Sequence, residues 1–451
     1  MHLQEGFYAT CSSRAAACRA LFRVTIYRPR PNLGPRYNFE LTANAFSPSY
    51  SGTTRWGRCN ACGQSEQLRL ATAKPDTGLP HSRRSTACFE RPGLWREQLK
   101  HPYSRSRNRR WMTMRSQASM DDTTISSATH DTLEARIVRY ADLAPCRDAF
   151  IDTRSPGSDQ KENFTIIGPG VAENPNQFVH INEAHGFNIG GARQPPKCLN
   201  SQHSHETVEV FYVHSGKWRF MSGEHGDDGE VLLGPGDLIS IPTQLFRGFE
   251  NIGEEEGFLW AVLGGDDPGH VLWAPYVFDM AKDFGLVLLE DGTLIDTGRG
   301  EAVPEGARIM PVTSRKQIDM LTRVDSAALE RCVIRHRATR PAGLFAGSVG
   351  LVDRLLIGAE PIAWPHGFTV SEVSLAAGAF LSTHTLDVAD VWFIQQGNVE
   401  VTLGTQATVC GAGDTITVPR GSARSLRNNG NKQAIVVQVR GGDALPRPAW
   451  P

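Results

Sequence analysis

The chain has 451 residues, enough for two or three domains with proper cores. Its formal net charge is −1 and it has no run of 18 apolar residues, so composition points to no membrane span and no bulk electrostatic partner. That near-neutral total hides a split: residues 1–119 carry 20 Lys+Arg against 6 Asp+Glu, and residues 120–451 carry 27 against 42.

The head, residues 1–119, shows no hydrophobic periodicity. It uses 18 Arg but 2 Lys, scattered among Ser, Pro and Gly, as in Arg28-Pro29-Arg30-Pro31. Such a composition fits a disordered extension or a segment outside the real protein, with Met112, Met114 or Met120 as the start. An Arg-rich, acid-poor beginning also fits an organellar transit peptide, with Glu5 counting against it. A basic arm for nucleic acid lacks a recognisable nucleic-acid fold behind it, and no such partner is expected. Cys59-x2-Cys62 is half a zinc site with no second pair. The later cysteines, Cys146, Cys198, Cys332 and Cys410, are far apart, as free thiols of a reducing, cytoplasmic setting would be.

Residues 120–163 read as a lead-in, with a short helix expected over Thr132 to Leu143. Residues 164–285 then show short apolar strands separated by Gly, Pro and Asn, the pattern of an all-β barrel or sandwich. Within them, His203 and His205 share one face of a strand, and Glu209 has the same parity. Two imidazoles and a carboxylate on one side can hold a divalent transition metal. His214 has the opposite parity and is expected outward. Trp218 and Phe220 share parity and either line the barrel or pack in its core. Arg193 precedes the motif and is a candidate contact at the cavity mouth. A helix over Pro275 to Phe284 is expected on the barrel's outside or at a subunit contact of a homo-oligomer.

Residues 286–360 form a connector with a helix from Arg315 to Val324, N-capped by Ser314. Strands resume in residues 361–442, before a tail at 443–451. His384, Leu386, Asp390 and Gly397 repeat the spacing of His203, His205, Glu209 and Gly216. Gly413, Pro419, Gly421, Arg424 and Asn428 repeat that of Gly236, Pro242, Gln244, Arg247 and Asn251.

These two stretches resemble the cupin motifs, Gly-x5-His-x-His-x3,4-Glu-x6-Gly and Gly-x5-Pro-x-Gly-x2-His-x3-Asn. In the first repeat, Lys197 and Gln244 stand where the motifs have glycine, and Arg247 stands where they have the fourth ligand. The resemblance covers roughly residues 164–442 and implies a bicupin, an all-β chain of two double-stranded β-helix (jelly-roll) barrels with a few short helices. It implies one divalent metal on His203, His205 and Glu209. Fe(II) is favoured, with Mn, Ni and Zn as alternatives.

With three protein ligands, positions stay open for water, oxygen or substrate, the arrangement of non-haem Fe(II) oxygenases. Arg247 is then expected to anchor a small carboxylated or phenolic substrate through its planar fork. The expected activity is a dioxygenase-type oxidation. The rivals are a small-ligand-binding cupin without chemistry and a metal-free isomerase or epimerase with a histidine base. A third possibility is a decayed barrel in which Glu209 simply pairs with Arg247. The second repeat keeps only His384 and Asp390, since Leu386 cannot ligate; an Asp390–Arg424 pair is expected there, without metal.

Overall fold

The computed structural model describes residues 132–345, 348–362 and 364–451, together with the backbone of three strands nearer the start of the chain. Those three, Gln4–Cys11, Cys18–Tyr27 and Asn38–Asn44, form an antiparallel sheet within a separate unit, Met1–Thr123. The sequence reading, which found no periodicity there, does not anticipate that pairing. The remaining calls on the head, including Cys59-x2-Cys62 and the alternative starts, lie outside the described residues.

The second unit, Thr124–Pro451, is built almost wholly of antiparallel strands. Its first barrel closes a five-stranded sheet over a seven-stranded one. In the five-stranded sheet Leu199–His205 lies between Arg247–Asn251 and Val271–Trp273. In the seven-stranded sheet Glu209–Ser215 lies between Leu238–Ile241 and Gly257–Gly264. Alternation sorts the side chains. Phe211, Val213, Trp218, Phe220, Phe249 and Leu259 fill the interior, while Val210, Tyr212, Phe258 and Trp260 face the second barrel.

The second barrel pairs a six-stranded sheet with a four-stranded one. Its inner layer is apolar at one end: Val373, Leu381, Trp392, Val399, Leu426 and Val436 are all fully buried. The strand Leu351–Ile357, which the sequence places in the connector, is already the edge of this barrel, paired with Phe368–Leu375.

The expected helix over Thr132–Leu143 does not form. Two 3-10 turns, Glu134–Arg136 and Tyr140–Asp142, flank a two-residue strand, Ile137–Val138, that pairs with Thr415 and Ile416. β-branched Ile137 and Val138 suit an edge strand, and burial of Val138 and Leu143 against the barrels overrides the helical spacing. The Pro275–Asp283 helix is present, with Val277, Phe278 and Ala281 buried. Ser314 caps its helix through a full capping box with Gln317, but the helix ends at Ile318, short of the expected Val324. No helix among the described residues is long and apolar enough to cross a membrane.

The repeat closes on itself. His214 and Gln395 hold equivalent places in the two barrels, and His214 Nδ1 lies 3.0 Å from Gln395 Oε1. His185 reaches Thr417 Oγ1, and its counterpart His366 lies 2.8 Å from Ser240 Oγ, the counterpart of Thr417. Trp260 stacks on Phe393 at 4.9 Å between them. The two barrels therefore meet about a pseudo-two-fold axis with a shared apolar layer.

Candidate metal centre

The strand Leu199–His205 is pinned from below. Lys161 and Asp152, both fully buried, form an ion pair; Lys161 also donates to Asn200 Oδ1 at 2.7 Å, and Asp152 accepts from the Ser201 amide at 3.1 Å. Tyr276, on the Pro275–Asp283 helix, accepts from the Gln202 amide at 3.0 Å. His203 and His205 then project into the barrel beside Glu209, the first residue of the facing strand.

One ligand atom from each of His203, His205 and Glu209 lies within 4.8 Å of the other two, and all three residues are buried. His203 Nδ1 is 2.6 Å from the Ser201 carbonyl, so Nδ1 carries the proton and Nε2 keeps its lone pair. Its ring packs on Trp273 at 5.1 Å. Among the described residues His205 Nδ1 has no hydrogen-bond partner, and Nε2 faces Glu209 Oε2 at 3.6 Å. Burial, then the Arg247 charge, holds both imidazoles well below their ordinary pKa, so they are neutral and able to ligate. An orphaned buried imidazole beside a carboxylate, with neutral lone pairs converging, fits a divalent ion.

Arg247 is 1% exposed and works on the same cluster. Nη2 donates to Glu209 Oε2, Nη1 donates to the His203 carbonyl at 3.2 Å, and Nε has no partner among the described residues. Burial pushes the Glu209 carboxyl up and the Arg247 guanidinium down; their mutual attraction opposes both.

The other candidates sit elsewhere. Trp218 is fully buried in the core against Phe249, and its indole donates to the Ser215 carbonyl at 2.8 Å. Arg193 lies on the sheet face turned to the second barrel, bound to Glu162 at 2.6 Å and laid over Phe164. His214 is on that outer face, as its parity predicts. In the second barrel His384, Asp390 and Arg424 come together, fully buried, but Asp390 lies 3.7 Å from Arg424 and 3.6 Å from a second guanidinium, Arg440. Sequence reasoning missed Arg440; the signal was Gln438 and Arg440 in alternate places of an otherwise apolar strand. It also missed Ser201, Lys161 and Asp152, whose roles depend on contacts distant in the chain.

Two jelly-roll barrels in tandem, the first with two histidines and a carboxylate at the motif positions, define a bicupin. The cupin-domain family model matches residues 192–263 and 371–440, one stretch in each barrel. The chain therefore carries two cupin domains, one in each barrel.

No curated protein matches its sequence. Among solved structures it is similar to oxalate decarboxylase from Bacillus subtilis at pH 4.6. Identity is 13%, 70% of this chain and 78% of that chain are covered, and the TM-score is 0.44. Another structure of that decarboxylase concerns its Mn(II) centers, at 13% identity, 68% and 78% coverage and a TM-score of 0.43. Vicilin from Corylus avellana (hazelnut) is similar at 11% identity, 70% and 87% coverage and a TM-score of 0.43. None of these likenesses speaks to the substrate of this chain.

Proposed function

We propose that the chain is a metal-dependent bicupin enzyme whose first barrel holds one divalent ion on His203, His205 and Glu209, with Fe(II) favoured over Mn, Ni or Zn. We propose a dioxygenase-type oxidation of a small carboxylated or phenolic substrate. The observation that carries the reading is the convergence of two neutral imidazoles and one carboxylate inside the barrel. When bound, the metal supplies Lewis acidity and open coordination positions for substrate and oxygen.

The protein's own part is positioning. The Ser201 carbonyl fixes the tautomer of His203, and Trp273 fixes its ring plane. Arg247 turns Glu209 toward the histidines and keeps Nε for an incoming anion. Burial of all four side chains keeps bulk water away from the reacting atoms. The test is oxygen consumption by the Fe(II)-loaded full chain across a panel of carboxylates and phenols. Uptake that requires Fe(II) and is lost in Glu209→Ala supports the reading; no uptake with any member of the panel counts against it.

One observation favours a second reading. The Glu209–Arg247 ion pair neutralises both charges without metal, which suits a ligand-binding cupin or a metal-free isomerase using a histidine base. A chain that binds its ligand or interconverts isomers with no metal present would support that reading instead.

A further inference from the structure

The interior of the second barrel holds more charge than packing requires. Arg440 lies opposite Asp390 and Thr369, just as Leu263 lies opposite Glu209 and Asn188 in the first barrel. Arg440 and Gln438 therefore stand where the first barrel has Leu263 and Ala261. Plain packing needs no polar groups at these positions, yet this barrel carries them where the first is apolar.

The groups are buried and incompletely used. Arg424 spends Nε on the Ser422 carbonyl and Nη2 on the Pro419 carbonyl, leaving Nη1 without a partner among the described residues. Arg440 spends Nη1 on Ser371 and Nη2 on Gln438, leaving Nε. Among the described residues Gln438 Nε2, Thr369 Oγ1, Asp390 Oδ1 and His384 Nε2 also lack hydrogen-bond partners. The two spare donors, Arg424 Nη1 and Arg440 Nε, face Asp390 at 3.7 and 3.6 Å, beyond hydrogen-bond distance, and Asp390 Oδ2 accepts from the Trp392 indole at 2.8 Å. The other carboxyl nearby, Asp353, is turned to the Phe345 amide at 2.8 Å, and burial pushes its pKa up. One close carboxylate is thus shared between two buried guanidinium groups, an excess of positive charge that is costly inside a barrel.

We propose that this end of the second barrel is a metal-independent site for a small hydroxy-carboxylate. Arg424 Nη1, Arg440 Nε and Gln438 Nε2 donate to the carboxylate. His384 Nδ1 faces the Ser382 carbonyl at 2.9 Å and so carries the proton, which leaves Nε2 to accept from the ligand's hydroxyl. Aromatic rings pack beside His384. Phe345 lies 4.7 Å and Trp450 lies 5.4 Å from the His384 ring, and Ala449 holds the tail in place by pairing with Thr385. This site is separate from the metal centre and does not depend on the function proposed for it.

The test is calorimetric titration of the full chain with sodium glycolate and sodium acetate. Glycolate should bind saturably at one equivalent, and acetate about 10-fold more weakly for want of the hydroxyl. Arg440→Gln should weaken glycolate at least 10-fold. His203→Ala, which damages the first barrel's cluster, should leave it unchanged. Because Arg440→Gln removes a buried charge and can disturb folding, Trp450→Ala, at the half-exposed ring near His384, is measured beside it and should weaken glycolate several-fold. Heat that never saturates, glycolate and acetate binding equally well, or unchanged affinity in either second-barrel variant would overturn the proposal. So would loss of glycolate binding in His203→Ala, which would move the anion to the first barrel.

Discussion

Arg247 donates to Glu209, the single carboxylate of the His203–His205–Glu209 cluster, from the position where the cupin motif has its fourth ligand. A guanidinium has no lone pair to give a cation. It can orient the carboxylate that ligates, and it can hold an anion.

Two substitutions separate those roles from drift. Arg247→Lys keeps the charge and loses the fork. Bound metal should persist, while KM for the substrate rises about 10- to 100-fold, the worth of one or two charge-assisted hydrogen bonds. Arg247→His restores the motif and should tighten metal binding while lowering kcat/KM. Equal or higher kcat/KM in Arg247→His would rule out the anchor.

Lys197 and Gln244 make a second prediction. Both stand where the motifs have glycine, and both keep the left-handed backbone, at φ 67° and 60°. Their counterparts, Gly378 and Gly421, have φ 75° each. A side chain in this region costs about 1–2 kcal/mol. Lys197→Gly and Gln244→Gly should each raise stability by about 1 kcal/mol in denaturant titration. A loss of stability in both would mean that their side chains contribute more than the strain costs.

These positions show what was legible in the sequence. Both barrels, the ligand cluster and the repeat follow from a period of two and from fixed motif spacings, which are local. The outward face of His214 followed from parity alone. The Arg247–Glu209 pair was visible only as one alternative, because sequence spacing does not say whether two charges meet. Trp218 could line the cavity or fill the core by parity, and close packing around Phe249 decided for the core. The lead-in failed because Leu133 and Ile137, four residues apart, suited one face of a helix, while the open edge of a distant sheet offered Ile137 and Val138 a strand partner.

The barrel contact should respond to acid through His366. Burial holds this ring down to about 4, against an ordinary value of 6.5; the Trp364 carbonyl, 2.6 Å from Nδ1, and then the Asp443 charge oppose that shift. Between 6.5 and about 4 the unfolded chain binds a proton that the folded chain refuses, so stability falls as pH drops through that window, by roughly 3 kcal/mol at its end. His366→Gln should reduce the difference in urea midpoint between pH 7 and pH 4.5. An identical difference in the variant would remove His366 from the account.

A chain beginning at Met120 should stay soluble and fold with a β-rich circular dichroism, given the break in charge and composition there. Aggregation of that shortened chain, with recovery only in the full one, would show that the head supports the barrels.

The most direct test of the account is the metal content of the purified full chain, measured by elemental analysis on wild type, His203→Ala and His384→Ala. Wild type should hold one equivalent of a divalent transition metal, His203→Ala should lose it and His384→Ala should keep it. Wild-type protein that stays metal-free after incubation with Fe(II), Mn(II), Ni(II) or Zn(II), or an equivalent lost in His384→Ala and kept in His203→Ala, would contradict it.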